Sequence, residues 1–139
     1  MDISDVINFK IPANYQRMVE VLNELKRTYP DIQLFDIGKT YLDKRIICVT
    51  LGHGEKKAIY VGAHHATEWV TSQILIRFIY DVLVNRNQKL YGYEVSDFLK
   101  KYTLYIICML NADGVDININ KPDISAEYYN KLLFYNNGS

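Results

Sequence analysis

Cysteine, proline and net charge are all low in this chain. Its 139 residues include two cysteines and three prolines, and 16 basic residues balance 16 acidic ones. A balanced charge excludes the strongly basic surface that attracts nucleic acids or anionic membranes, so we expect neither of them as a partner. The cysteines lack C-x-x-C spacing, which excludes a zinc module built on cysteine pairs.

Long apolar runs are missing as well. No segment approaches the ~18 uncharged residues that a membrane-spanning helix requires. The first residues lack the basic region and apolar run of a secretory signal peptide. We therefore expect a cytoplasmic protein. The sequence also has no repeat, no low-complexity run and no glycine loop of the kind that binds phosphate.

Both cysteines lie in apolar, β-branched surroundings. Cys48 belongs to the segment 46–49 and Cys108 to the segment 106–110. Free cysteines in such segments behave as small buried hydrophobic residues. This placement favours two buried free thiols on neighbouring strands over a disulfide.

The composition is that of a globular protein. Hydrophobic residues make up 49% of the chain and charged residues 23%. A chain of this length buries roughly two thirds of its unfolded surface when it folds, which is enough for one core. We therefore interpret residues 1–139 as a single domain or as part of one.

The apolar pattern predicts alternating helices and strands. Two early strands form a hairpin, and a strand, a helix and another strand follow, which predicts an α/β fold with a mixed sheet. Residues 69–84 are apolar on most faces and predict a largely buried helix. The predicted helices are 14–29, 69–84 and 95–101, the predicted strands are 32–37, 45–51, 57–63 and 103–110, and 85–92 is predicted to be a polar linker.

His65 and Glu68 lie three residues apart, where the third predicted strand meets the second helix. A helix that begins near Thr67 would place Glu68 in its first turn, where the helix dipole favours a carboxylate. Imidazole nitrogen and carboxylate oxygen are both zinc ligands, and a catalytic zinc site has three protein ligands and an open position. The spacing therefore indicates two of three ligands. The alternative is a polar residue at a strand end beside an acid at a helix start.

The flanking residues resemble the zinc metallocarboxypeptidase family. Residues 61–71 are similar to its zinc-ligand segment, a strand followed by H-x-x-E-W, and 109–116 resemble its Asn-Pro-Asp-Gly turn. Segments 18–30 and 36–46 are similar to its first helix and first hairpin. The closing residues, 128–139, resemble bacterial members that cut γ-D-glutamyl bonds in peptidoglycan peptides. The resemblance implies a carboxypeptidase-like α/β/α sandwich, Zn²⁺ held by His65 and Glu68, and peptide-bond hydrolysis.

Two residues depart from the family pattern. Ala112 stands where the family has proline, which removes a fixed φ from the turn but no chemical group. Thr67 stands where the animal digestive members carry an arginine that contacts substrate, so a digestive type of specificity is not implied. We expect the turn at Asn111 to Gly114 to serve as scaffold rather than in direct chemistry.

The resemblance also implies an incomplete site. In the family, the third zinc ligand, the catalytic glutamate and the substrate-binding arginines lie beyond the position that matches Ser139. The other histidines here are His53 and His64, and none follows His65. His64 is expected to point away from its neighbour, and His53 is a loop residue for which a solvated role is favoured over a ligand role. We therefore expect a C-terminally truncated zinc peptidase domain that binds zinc weakly, with no catalytic residue assigned.

Two other functions fit the same residues. One is a non-catalytic remnant that keeps the fold and weak metal binding. The other is a zinc-dependent deacylase of the related clan, which shares H-x-x-E; Trp69 and the turn at 111–114 favour the peptidase. A peptide or a peptidoglycan-derived peptide would be the substrate of the full domain.

A truncated sheet also predicts a partner. If the sheet of the family continues past residue 139, then either strand 57–63 or strand 103–110 is left with an uncovered edge or face. Unpaired strand edges and apolar surface favour association. We therefore expect a homodimer through the truncated side, formed by sheet extension or by packing of the segment 124–135.

Overall fold

The computed structural model describes residues 3–120 and residue 130. The segments 124–135 and 128–139 therefore lie outside the described residues, apart from Asn130. Among the described residues, no helix is long and apolar enough to cross a membrane. The helices are α1 (Ile3–Ile7), α2 (Tyr15–Thr28), α3 (Trp69–Val84), α4 (Val95–Lys101) and α5 (Ala112–Ile119); the strands are β1 (Gln33–Lys39), β2 (Arg45–Gly52), β3 (Lys56–Val61), β4 (Lys89–Leu90), β5 (Tyr93–Glu94) and β6 (Tyr102–Ile107), and a 3-10 turn spans Ala66–Glu68.

The main sheet is mixed, as the sequence predicts. Its strand order is β1-β2-β6-β3. Strand β2 is antiparallel to both β1 and β6, whereas β3 is parallel to β6. The apolar strand β6 lies in the interior of the sheet, so the alternative in which strand 103–110 has the uncovered edge is wrong. Strand β3 lies at the edge.

One core joins the helices to the sheet. Helix α2 begins because the side chain of Asn14 accepts a hydrogen bond from the backbone N–H of Arg17, which satisfies a free helix donor. Its apolar residues recur on one face and are buried. Most of the largest buried side chains of the core come from α2, α3 and β6; they include Met18, Leu22, Leu25, Ile76, Ile79, Leu104 and Ile106.

Strands β3 and β6 both end earlier than their apolar runs predict. The predicted strand 57–63 stops at Val61, and the predicted strand 103–110 stops at Ile107. Ala63 has a φ of 49°, which is incompatible with a continuing strand. The two segments leave the sheet at the same level, because Val61 and Ile107 are register partners.

The prediction of a polar linker at 85–92 is wrong for the second half of that segment. Strands β4 and β5 pair as a small antiparallel hairpin. Its two turn residues, Tyr91 and Gly92, both have positive φ, at 51° and 84°, which is the conformation of a two-residue hairpin turn that matches strand twist. Tyrosine is rare at the first of these positions, so the sequence did not signal the turn.

Helix α3 has the predicted ends and is largely buried, as predicted. Ile76 is fully buried, and Leu75 and Phe78 pack against the core as partly buried residues. Val70 and Ile74 are exposed apolar residues one turn apart, on a narrow stripe of the helix. Both cysteines are free and buried, as predicted.

Candidate metal centre

The candidate site lies at the carboxyl ends of the parallel strands β3 and β6. Two backbone hydrogen bonds join the segments that leave these strands: Leu110 N–H donates to Gly62 O at 3.1 Å, and Asn111 N–H donates to Ala63 O at 2.9 Å. The carboxyl ends of parallel strands are where α/β sheets collect ligands. The segments that resemble the zinc-ligand segment and the Asn-Pro-Asp-Gly turn therefore open on the same edge of the sheet.

His65 and Glu68 converge at this edge. Their side chains approach to 3.1 Å between His65 Nδ1 and Glu68 Oε1. The 3-10 turn brings them together, because the backbone N–H of Glu68 donates to His65 O at 3.0 Å. Both side chains are open to solvent, with 78% and 52% of their surface exposed. The predicted convergence of the two donor groups is confirmed; that they bind a metal stays a prediction.

The geometry fits two ligands of a zinc ion. Tetrahedral zinc with bonds of about 2.0–2.1 Å holds neighbouring donor atoms about 3.3 Å apart, close to the observed separation. The set is incomplete within residues 3–120 and 130, where no group of three or more His, Cys, Asp or Glu side chains could hold a metal. The described residues therefore supply two convergent candidate ligands.

The other two histidines do not join the pair. His53 precedes β3 and lies at its amino end, where its backbone N–H donates to Leu99 O. Since β3 has six residues, the strand separates His53 from His65 by about 20 Å. His64 is exposed, and its backbone carbonyl faces the side chain of Asn111 at 3.4 Å. Neither histidine is placed as a third ligand.

Glu68 lies just before helix α3, not in the first turn of a helix that begins near Thr67. The α-helix begins at Trp69, and Glu68 occupies the N-cap position at the end of the 3-10 turn. Thr71 fixes this junction: its hydroxyl donates to Glu68 O at 2.7 Å and accepts a hydrogen bond from the backbone N–H of Ala63 at 2.7 Å. Thr71 was missed from the sequence. A threonine three residues after Glu68, at a helix start, could have signalled such a bond.

The predicted turn at Asn111 to Gly114 is the first turn of helix α5. The side chain of Asn111 accepts a hydrogen bond from the backbone N–H of Gly114 at 3.0 Å, as an N-cap does. Ala112 is the first helical residue, a position that proline tolerates. The scaffold role expected for this segment agrees with its position, although its residues belong to a helix rather than to an isolated turn.

Helix α5 packs against the turn that carries His65 and Glu68. A Cβ at Gly114 would lie 2.9 Å from the Cβ of Ala66, so a larger residue does not fit without a shift. The side chain of Asn118 donates to Ala66 O at 3.1 Å. The 3-10 turn is therefore supported from the side of α5.

The opposite side of α5 carries a compact ion-pair network. Lys44 Nζ lies 2.7 Å from Asp116 Oδ2 and 3.5 Å from Asp113 Oδ1, and the three side chains are only 12–19% exposed. Asp113 also accepts hydrogen bonds from the hydroxyl of Thr40 and the backbone N–H of Leu42. This network joins α5 to the turn between β1 and β2.

Similarity to known proteins extends along most of the chain. Residues 18–130 match a sequence family described as zinc carboxypeptidase. A γ-D-glutamyl-L-diamino acid endopeptidase of Lysinibacillus sphaericus is 29% identical over 136 residues, which covers 96% of this chain and 34% of the relative. The catalytic chain of carboxypeptidase N from Rattus norvegicus is 26% identical over 144 residues, which covers 83% of this chain and 32% of the relative. The chain spans about a third of the length of these curated relatives.

A solved structure shows the same fold. Carboxypeptidase A from Helicoverpa armigera superposes with a TM-score of 0.67 at 18% identity, over 79% of this chain and 27% of that one. The predicted α/β fold of carboxypeptidase type, with a mixed sheet, is therefore confirmed.

Proposed function

Because this chain belongs to the zinc carboxypeptidase family, we propose that His65 and Glu68 are two protein ligands of Zn²⁺ in a centre for peptide-bond hydrolysis. The observation that carries the proposal is the 3.1 Å approach of His65 Nδ1 and Glu68 Oε1 at the carboxyl ends of β3 and β6. Their separation suits neighbouring positions on one tetrahedral ion.

Each residue of the site has a separate task. Zinc, when bound, lowers the pKa of a water molecule and polarises a carbonyl group. His65 and Glu68 bind the ion, the 3-10 turn holds their spacing, and Thr71 fixes the start of α3 so that the Glu68 carboxylate stays beside the strand exit. No residue of this chain is assigned as general base. With two ligands and no base, the chain alone binds zinc weakly and does not turn over peptides.

The proposed substrate class is a peptide, with a γ-D-glutamyl bond of the kind found in peptidoglycan peptides as its specific form. The support is the 29% identity to an endopeptidase whose name describes that bond, along 96% of this chain. A C-terminal amino-acid bond is the other form within the family.

A second candidate is a non-catalytic protein that keeps the fold and weak metal binding. It is favoured by one observation: within the described residues, the ligand pair has no third metal-binding side chain beside it. The two candidates share His65 and Glu68 as zinc ligands and both predict no turnover by this chain alone; they differ in whether the complete zinc centre hydrolyses peptides.

Zinc titration of the purified 139-residue chain tests the proposal. We expect weak, saturable binding of zinc at one site. Calorimetry or competition with a chelating dye measures it. His65→Ala and Glu68→Ala should each abolish it, since one remaining protein ligand does not hold the ion. His64→Ala and His53→Ala are matched controls and should bind as the wild type does. Unchanged binding in the His65 and Glu68 variants would show that the ligands are elsewhere.

Activity assays test the expected lack of turnover by this chain. We expect no measurable turnover of γ-D-glutamyl or C-terminal peptide substrates by this chain, with or without added zinc. Zinc-dependent hydrolysis that the His65→Ala variant loses would contradict this expectation and would favour the peptidase over the non-catalytic protein.

A further inference from the structure

Helix α5 has little tendency to form by itself. It has eight residues, Ala112–Ile119, and its sequence contains a glycine, two aspartates, an asparagine and three β-branched residues. Except for alanine these are weak helix formers, and isolated helices shorter than about 12 residues are marginal in water. The position of α5 therefore depends on what anchors it.

Ala112 and Val115 anchor one side of α5 in the core, and an ion-pair network anchors its outer side. Lys44 lies between Asp113 and Asp116, two carboxylates three residues apart on one helix face. The other oxygen of Asp116 accepts the backbone N–H of Tyr15 at 2.7 Å. Helix α5 is thus fixed to the β1–β2 turn and to the start of α2. Because the three charged side chains are largely buried, removing the Lys44 cation takes away the attraction that offsets the repulsion between two neighbouring carboxylates.

The inner side of α5 supports the candidate ligands. Asn111 contacts the carbonyl of His64, Asn118 donates to the carbonyl of Ala66, and Gly114 packs against the Ala66 side chain. These contacts reach the segment that immediately precedes and contains the 3-10 turn. A displacement of α5 would therefore release the backbone that sets the spacing of His65 and Glu68.

We propose that Lys44 is a positioning residue for the His65–Glu68 pair and acts through helix α5. It touches neither donor group. It holds α5 in place, and α5 holds the 3-10 turn in the conformation that brings the two donor atoms together. This inference rests on the proposed zinc site for its effect on metal affinity, but its structural part concerns the turn alone.

Zinc affinity and amide hydrogen exchange of the full chain test the inference. Groups outside the ligand set that orient metal ligands typically contribute 10–100-fold to affinity, and we expect Lys44→Met to weaken zinc binding about tenfold. Lys39→Met is the matched control, because Lys39 lies on the same hairpin and pairs with Asp43 at the exposed surface; its affinity should stay within about twofold of the wild type. Without metal, the amides of residues 64–68 should exchange faster in Lys44→Met than in the wild type, and at the wild-type rate in Lys39→Met.

A second variant covers the case in which Lys44→Met does not fold. Asn118→Ala removes one contact between α5 and the turn and leaves the buried charges intact, so it should also weaken zinc binding and speed exchange at 64–68. If exchange at 64–68 is unchanged in the folded variants, the inference is overturned. If the wild type binds no zinc, the proposed function fails, and the exchange experiment in metal-free protein still decides the role of Lys44.

Discussion

Strands β3 and β6 are parallel neighbours and both have apolar sequences, yet the side chains of β3 are much more exposed to solvent. Tyr60 of β3 and Ile106 of β6 are register partners, and they are 46% and 0% exposed. Ile59 of β3 is 68% exposed. Strand β6 has a strand on each side, whereas β3 has one on a single side within the described residues. Apolar composition thus indicates that a strand is suited to burial, but the neighbouring elements decide whether it is buried.

The largest expected difference between the two strands is in how much a substitution on each strand lowers the stability of the protein. Ile106→Ala should lower the free energy of unfolding by about 2–5 kcal/mol, because it removes buried methyl groups and leaves a cavity. Ile59→Ala removes the same atoms from an exposed position and should cost less than about 0.5 kcal/mol. Urea unfolding of both variants measures the difference. Similar costs would mean that Ile59 is covered by a contact that the described residues do not provide.

A smaller effect is the pH dependence of stability, to which the thiol of Cys108, just after the end of β6, contributes. Burial raises the pKa of Cys108 to about 12, from an ordinary value of 9.0. The folded state therefore keeps the thiol protonated above pH 9, where the unfolded state loses the proton. Stability from this group is present below about pH 9 and is lost as the pH rises toward 12, at about 1.4 kcal/mol per pH unit.

Replacing this thiol should flatten the alkaline loss of stability. We expect Cys108→Ala to lose less unfolding free energy between pH 9 and 10.5 than the wild type does, even if it is less stable at neutral pH. The matched control is Ile59→Ala, which retains the thiol and should follow the wild-type slope. Equal slopes in all three proteins would show that Cys108 does not titrate in this way.

The sequence predicts local features of this fold better than distant contacts. The ends of α3 and α4 and the convergence of His65 and Glu68 follow from periodicity and from a three-residue spacing. Helix α5 was not predicted as a helix, because Asn111, Asp113 and Gly114 are typical turn residues and the tertiary anchors override that preference. The contacts of Lys44 with α5 join residues about 70 positions apart, so no local pattern could indicate them.

The edge of the sheet at β3 makes the prediction of a homodimer more specific. We now propose that the dimer interface lies at β3 and not at β6. The other edge strand, β1, is protected against pairing by charged residues and by a register irregularity between Asp36 and Gly38. The second half of β3 has neither: residues 58–61 are uncharged and regular. The chain has no net charge to oppose association. A second copy could therefore extend the sheet at β3.

Association should be weak, since a single edge strand offers a small contact. We expect a dimer at micromolar concentration in light scattering, and Ile59→Lys should shift it to monomer because a charge at an unpaired edge opposes strand addition. Phe35→Lys places the same charge at an exposed position of β1 and should leave the dimer intact. A wild type that stays monomeric at these concentrations would contradict the prediction. Dissociation by Phe35→Lys alone would move the interface to the opposite edge of the sheet.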